Sequence, residues 1–519
     1  MRTLRRLAFL QLALASTLSA QGRAPEPTRP VDWGAIEREG AALLRDYLRV
    51  NTTNPPGNEL AAARFLRDFL AKEGIEAQIL DTATLAPGRA NLYARVKGNG
   101  SKKAIALVQH MDVVPATPAS WSVPPFSGEL RDGYIYGRGA LDMKGEGVAQ
   151  LMALVAIKRG GVPLNRDLVV IANADEESGS TGALTFADRH ADLLSDVEFL
   201  FTEGGSNTVR NGSLLYYGVG VSEKRTFWQR LTVRGIPSHA SRPTRDNPVP
   251  RLIAALNRLA RYETPLHVTP GVNRYFRDIS RNFAGEQRQW LAQVERALDD
   301  PRARAWILSD LYWNAILRNT ISITGLQGSN KTNVIPAEAS AEVDIRLLPD
   351  ANPDSVLATL RRVVADTAVH FSPLIVPKAP FESPTNTDFF RAVERAAHER
   401  DPEAFVTSSM LTGATDRPMY RRLGILVYGL DPFRTDDADE QRGGCMGTTN
   451  ESPWRTSLPG SGSCTTSSGT PSDTQQGLWG PNLLRGCTHY VTSDAQTPPI
   501  SGGWEVAGRG KAGSYRTAQ

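Results

Sequence analysis

Apolar positions recur at three- and four-residue steps across residues 32–50, where Ile36, Ala41, Leu43, Leu44 and Leu48 share a face, and this spacing predicts a helix. Asn51-Thr-Thr-Asn-Pro-Pro-Gly stops it, and residues 59–72 repeat the amphipathic pattern. Short apolar runs follow at 76–80, 90–96 and 104–108. The last is continuous rather than alternating, which predicts a strand covered on both faces. Residues 144–158 read as a helix, 167–174 as a second buried strand and 197–201 as a third. Strands alternating with helices predict an α/β sheet.

From about residue 220 the texture changes. Residues 227–235 alternate like a half-exposed strand, 247–262 are helical, 319–328 and 333–349 read as long alternating strands, and 354–367 close the segment as a helix. This is a compact α+β pattern inserted between two parts of the first domain. Inside it, residues 263–318 are polar, Arg-rich and aromatic-bearing, which predicts a helical insertion. The α/β texture returns at 384, with a helix at 387–400 and strands at 404–408 and 425–428. After about residue 441 Gly, Ser, Thr and Pro dominate without apolar periodicity, so the last stretch is expected to be disordered. At the other end, Arg2, Arg5 and Arg6 precede an apolar run at 7–18 and then Ser19-Ala20-Gln21. That order is a secretory signal, and the run is too short to span a bilayer. The expected layout is a signal at 1–20, a first domain at 21–219 and 380–442, an inserted domain at 220–379, and a tail at 443–519. The expected location is secreted or periplasmic, with no membrane span in the mature chain.

Composition narrows the chemistry. A net charge of +4 over 519 residues is mild, and no basic stretch is interleaved with aromatics, which excludes a nucleic-acid footprint. The three cysteines, Cys445, Cys464 and Cys487, all lie in the tail. The body therefore offers no thiolate ligand or nucleophile, and any metal must be held by histidine and carboxylate.

Four polar clusters fall where predicted strands end or turn: His110 and Asp112, Asp142, Asp175-Glu176-Glu177, and Thr202-Glu203. In an open α/β sheet, ligands collect outside the carboxyl ends of the strands. An acidic pair after a strand is usually a solvated loop or a helix cap, but four such clusters together point to a site. Histidine plus carboxylates without cysteine suits a hydrolytic zinc, cobalt or manganese centre. Asp142 can bridge two ions, with His110 and Glu203 on one and Glu177 on the other. Adjacent glutamates such as Glu176 and Glu177 can divide the work, one ligating while the other acts as general base toward a metal-activated water. Asp112, two residues past His110, is placed to accept from the free imidazole N–H and fix its tautomer.

The run HMDVVP, GRGALDMKG, DEESGS and TEGG resembles the co-catalytic zinc metallopeptidases (metallopeptidase family twenty) that include aminoacylase, carboxypeptidase G, succinyl-diaminopimelate desuccinylase and carnosinase. The likeness runs from about residue 32 to 442. It implies a zinc-peptidase-like α/β domain, with helices around a mostly parallel sheet, carrying two zinc ions. It also implies an inserted α+β lid that commonly dimerises. By motif, His110, Asp142, Glu177 and Glu203 are implied ligands, Glu176 the general base and Asp112 the residue that orients the histidine. GIPSHASRP resembles the lid motif whose histidine, here His239, stabilises the developing oxyanion. Asn333 in KTNVIP and Arg346 in VDIRLLP resemble lid positions near a substrate carboxylate, a task that suits a guanidinium. Asp416 in TGATD resembles a loop near the site, with its role open. The implied reaction is cleavage of a peptide or N-acyl amide bond beside a free carboxylate, in a small peptide or N-acyl amino acid.

One part of the family pattern is missing. A C-terminal histidine ligand should follow the segment at 428–442, but the only later histidine is His489. Back-translation of residues 447–455, read two nucleotides later, permits His-Asn-Glu-Arg-Ile-Ser-Val-Glu, which resembles the absent motif. The composition break and the confinement of cysteine to the tail agree with an out-of-frame stretch beginning near Gly443. The rival expectation is a catalytically impaired remnant or binding protein lacking that ligand. A third reading, an aminopeptidase of another co-catalytic zinc fold, predicts no inserted α+β domain.

Overall fold

In the computed structural model, which describes residues 28–131, 133–210, 213–433 and 454–455, the first element is helix α1 (Trp33–Arg49). Asp32 caps it by accepting from the Ala35 amide at 3.0 Å, and Ile36, Leu43, Leu44, Tyr47 and Leu48 are buried. Helix α2 (Glu59–Lys72) buries Ala62, Ala63, Leu66 and Leu70. Strands β1 (Ala77–Leu80), β2 (Asn91–Val96) and β3 (Ala104–His110) follow, then the hairpin of β4 (Glu129–Arg131) and β5 (Tyr134–Tyr136). Helix α3 (Lys144–Arg159) is buried continuously through Ile157, so its apolar residues have no single preferred face. After it come β6 (Leu168–Asn173), α4 (Thr181–Arg189), β7 (Val197–Thr202), β8 (Ser206–Arg210) and β9 (Ser213–Glu223).

The chain then builds a second sheet. Its strands are β10 (Arg225–Thr226), β11 (Gln229–Arg234), β13 (Thr320–Gln327), β15 (Glu338–Leu347) and β16 (Val369–Pro373), all paired antiparallel around β15 and β11. A small ladder of β12 (Ser238–His239) and β14 (Val334–Ile335) stands beside it. Leu231, Val233, Ala341, Val343 and Ile345 form a core with Leu252, Ala255 and Leu259 of α5 (Pro248–Ala260) and with Leu360 and Val364 of α11 (Pro353–Val364). Between α5 and β13 lies a run of helices: α6 (Pro270–Ile279), α7 (Gly285–Ala292), α8 (Val294–Ala297), α9 (Pro301–Ser309) and α10 (Leu311–Ile316). Their core is aromatic, with Tyr275, Phe276 and Trp313 buried together with Tyr216 of β9. The helical insertion therefore rests on the first sheet.

Helix α12 (Asp388–Arg400), β17 (Phe405–Leu411), α13 (Arg417–Arg421) and β18 (Leu426–Gly429) return to that first sheet. Its order is β1-β2-β6-β3-β7-β18-β9-β17, with β8 on β9. The central strands β6, β3, β7 and β18 are parallel. All seven residues of β3 are buried, and burying Ile105, Leu107 and Val108 contributes roughly 1.5–3 kcal/mol each. Because β3, β6 and β7 run the same way, the segments that follow them all emerge at one edge of the sheet.

The α/β class and the mostly parallel sheet agree with the pattern along the chain. The β8–β9 hairpin was not anticipated. Gly218 and Gly220 interrupt its apolar run, and both are required by close packing. A Cβ on Gly218 would stand 2.5 Å from the Ser206 carbonyl, and one on Gly220 2.1 Å from the Gly204 carbonyl. Strand β9 also pairs with β17 as far as Glu223, so the passage to the second sheet comes a few residues after the change of texture. The expected signal at 1–20 lies outside the described residues, as does the tail from 443 onward except for β19 (Trp454–Arg455), whose backbone pairs with β5. No described helix is long and apolar enough to cross a membrane.

Candidate metal centre

Three strand ends and one helix start build the centre. His110 closes β3, Glu176 and Glu177 lie in the turn after β6, and Glu203 follows β7. Asp142 sits two residues before α3. The His110 imidazole is 2% exposed. Its Nε2 is 3.0 Å from Asp142 Oδ1 and 3.7 Å from Glu203 Oε2. Two overlapping groups have potential ligand atoms within 4.8 Å of one another: His110 with Asp142 and Glu177, and His110 with Glu176 and Glu203. The grouping differs from the expected one in two respects: His110 stands with Asp142 and Glu177 as well as with Glu203, and Glu176, read as the base, takes the place beside Glu203 that was expected of Asp142.

The electrostatics of this cluster favour a cation. Burial and then the Glu203 carboxylate push the Glu176 carboxyl well above the ordinary glutamate range. Burial and then Asp142 push Glu177 up to about 8. Burial also raises Glu203, against the pull of His110. For His110 itself burial disfavours the charged ring, but Glu203, Asp112 and Asp142 outweigh it and hold the imidazole well above its usual value. Four carboxylates crowded around one imidazole, with no thiolate, form an oxygen-and-nitrogen donor set that fits a divalent ion of the zinc, cobalt or manganese type.

Asp112 faces the His110 ring through its backbone as well as its carboxylate. His110 Nδ1 is 2.9 Å from the backbone oxygen of Asp112 and 3.5 Å from its Oδ1, so the main-chain carbonyl is the nearer acceptor for the ring. The carboxylate has further partners. Its Oδ1 accepts from the Glu176 amide at 3.0 Å, and its Oδ2 accepts from the Glu177 amide at 3.1 Å and from Asn54 Nδ2 at 2.7 Å. Asp112 thus ties the histidine strand to the glutamate turn. Asn54 was legible only as part of the Asn-Pro-Pro-Gly helix stop, and its reach into the site depends on contacts 58 residues apart.

The remaining candidates lie on other elements. His239 is exposed on β12, with Nδ1 2.7 Å from Ser241 Oγ. Asn333 is its neighbour across the small ladder, since the Ala240 amide donates to the Asn333 carbonyl at 2.9 Å. Arg346 on β15 pairs with Asp344 at 2.8 Å, donates to Thr226 Oγ1 and lies over the Trp228 ring. The small β12–β14 ladder therefore brings His239 and Asn333 together, while Arg346 is held by residues of the second sheet and its flanks. Asp416 is buried and accepts from Asn173 Nδ2 at 2.9 Å, which places TGATD against the end of β6. Beside it, Lys378 donates to Ser180 Oγ at 2.6 Å and to the Thr415 carbonyl at 3.0 Å, a cation near the glutamate turn that no motif announced.

Comparison with known proteins places the chain in a family. The chain is 30% identical over 354 residues to the N-fatty-acyl-amino acid synthase/hydrolase PM20D1 of Xenopus tropicalis, covering 65% of this chain and 67% of that protein. It is 26% identical over 408 residues to aminoacylase-1B of Rattus norvegicus, covering 76% and 88%. Among solved structures, the M20 family metallo-carboxypeptidase Sso-CP2 of Sulfolobus solfataricus superposes with a TM-score of 0.64 at 17% identity, covering 88% of this chain and 98% of that one. Human carnosine dipeptidase 1 gives 0.61 at 17% identity, covering 89% and 96%, and both likenesses concern the fold. The model of peptidase family M20/M25/M40 matches residues 106–440, well over half of the sequence and the whole stretch that carries the clustered histidine and carboxylates. This chain is a member of peptidase family M20/M25/M40, a metal-dependent hydrolase family.

Proposed function

We propose that the protein hydrolyses a peptide or N-acyl amide bond beside a free carboxylate, using divalent metal held by His110, Asp142, Glu177 and Glu203. The observation that carries this reading is the convergence of those four side chains and Glu176 at one edge of the parallel sheet, their ligand atoms within 4.8 Å in two overlapping groups. Zinc is the proposed ion, two per chain, with cobalt or manganese as alternatives. When bound, such an ion supplies Lewis acidity that lowers the pKa of water and polarises a carbonyl.

The chain's own residues supply the rest. Glu176 accepts a proton from the attacking water and returns it to the leaving nitrogen, so one water is added across the C–N bond. Asp112 holds the Glu176 and Glu177 amides and keeps the base at a fixed distance from His110. His239 donates to the oxyanion as it develops, and Asn333 and Arg346 receive the substrate carboxylate, Arg346 exchanging Asp344 for it. The names of the relatives, an N-fatty-acyl-amino acid hydrolase and an aminoacylase, support N-acyl amino acids as one substrate class, and the dipeptidase and carboxypeptidase folds support short peptides as the other. Location outside the cytoplasm and a homodimer built through the second sheet belong to the same proposal.

A second reading rests on one feature: both ligand groups draw on the same imidazole, His110. Under it, the stretch after residue 442 is out of frame and lacks a second histidine ligand, and this chain is an impaired form or a remnant. Both readings are tested by a hydrolysis screen over dipeptides and N-acyl amino acids with added zinc, run beside metal analysis. Turnover with about two ions per chain supports the enzyme. No turnover with one ion or none supports the remnant, and sequencing the gene around residue 443 tests the frame.

A further inference from the structure

The segment that stops the first helix is built into the candidate centre. Residues 52–54 run beside residues 111–113: the Asn54 amide donates to the Val113 carbonyl at 2.9 Å, the Val113 amide to the Thr52 carbonyl at 3.2 Å, and Thr52 Oγ1 to the Met111 carbonyl at 2.6 Å. This lays the Asn54 side chain, from a residue 2% exposed, between two carboxylates. One Asn54 amide nitrogen serves both, donating to Asp112 Oδ2 at 2.7 Å and to Asp175 Oδ1 at 2.8 Å. Its oxygen accepts from Arg89 Nη2 at 2.7 Å.

Arg89 completes the arrangement. It is 8% exposed, pairs directly with Asp175, lies 3.8 Å from Glu59 Oε1, and donates to the Pro56 carbonyl through Nε and Nη2. Glu59 Oε1 in turn accepts from the Asp175 amide at 3.1 Å. Asp175 begins the glutamate turn with a left-handed φ of 64° and holds it through Thr181 Oγ1. Buried polar groups are costly unless paired, and here one amide serves two carboxylate oxygens, Asp112 Oδ2 beside the Glu177 amide and Asp175 Oδ1 beside Arg89.

We infer that Asn54, oriented by Arg89, is a positioning residue for the metal centre: it sets the separation between the His110 strand end and the Glu176–Glu177 turn by bridging Asp112 and Asp175. The inference rests on the metal-centre reading above. Asn54 touches no candidate ligand, so it acts only through Asp112 and Asp175. Outer partners of this kind typically change metal affinity about 10–100-fold when removed. The isosteric change Asn54→Asp separates this role from space filling, because it keeps the shape and replaces the shared donor with a third carboxylate.

The test loads the full chain with Co²⁺ and measures affinity by competition with a chromophoric chelator, alongside the visible absorption spectrum of the bound ion. For Asn54→Asp and Asn54→Ala the expected result is an affinity loss of about 10–100-fold and an altered Co²⁺ spectrum. On the best substrate, kcat should fall while KM stays within about twofold of the original, since no substrate contact is removed. Arg89→Lys keeps the charge but loses the fork, and should give the same spectral change with a smaller affinity loss. It is also the variant to read if both Asn54 variants fail to fold. Variants that load and absorb like the original chain overturn this inference alone. An original chain that takes up no Co²⁺ overturns the metal-centre reading as well.

Discussion

His110 ends a strand whose seven residues are all buried, and its ring touches Asp112, Asp142 and Glu203; His239 ends a two-residue strand, is exposed, and its ring touches Ser241. The two histidines are proposed for the same reaction but are placed by different means. The first is set by packing on both sides of a parallel sheet, so its geometry is pre-organised at the expense of crowding carboxylates in a low-dielectric space. The second stands on a small ladder that is free to meet a substrate from outside. The comparison teaches how the proposed machinery would divide: a rigid part that holds charge in place and an accessible part, on another element, that responds to what binds. A change of a candidate ligand or its supports in the rigid part should alter metal binding or stability, whereas a change of the base Glu176 or of the accessible part should alter turnover alone.

Glu176→Gln gives the sharpest break. Turnover should fall by about 10²–10⁴-fold while metal content, measured by elemental analysis, stays unchanged. Retained turnover would remove Glu176 from the role of base. Next in size, His239→Ala should lower kcat by about 10²–10³-fold with Co²⁺ affinity unaltered, as expected of an oxyanion donor. A matching loss of metal would place His239 in the rigid part and erase the contrast.

A third test concerns pH, away from the ligands. Burial pushes the Glu59 carboxyl up to about 7 from its ordinary 4.5. Between these values the folded chain keeps a proton that the unfolded chain releases. The stabilisation from protonated Glu59 is fully present below pH 4.5 and is lost as pH rises through 7. Its extent is up to about 3 kcal/mol, and Glu59→Gln should flatten the fall in Tm between pH 5 and 8. An identical slope in the variant would assign the pH dependence elsewhere. The smallest effect is expected at Ile253, 59% exposed on α5. Ile253→Asp should change stability by no more than about 0.5 kcal/mol, yet shift sedimentation toward the monomer if this face joins two copies. An unchanged sedimentation profile would argue against self-association through that helix.

Much of this was legible along the chain. The continuous apolar run at 104–108 announced a strand covered on both faces, and β3 is buried from Ala104 to His110. The spacing at 59–72 located α2 to the residue. Residue types at strand ends named His110, Asp142, Glu176, Glu177 and Glu203, because polar groups after a buried strand need a reason that local structure does not supply. The β8–β9 hairpin was hidden because Gly218 and Gly220 break the apolar pattern, and their necessity is visible only from backbone atoms of residues 204 and 206 that press on them.

Sequence pattern decides what repeats: helices, strands and the recurrence of carboxylates at strand ends follow from periods of a few residues and from local polarity. It does not decide pairings between single residues far apart. That Asp112 holds the glutamate amides while a main-chain carbonyl faces the His110 ring, that Asn54 bridges Asp112 and Asp175, and that Lys378 reaches Ser180 from 198 residues away were settled by the folded chain. The reason is physical. A buried donor must find its acceptor in space, and only the packed sheet brings those atoms within hydrogen-bonding distance.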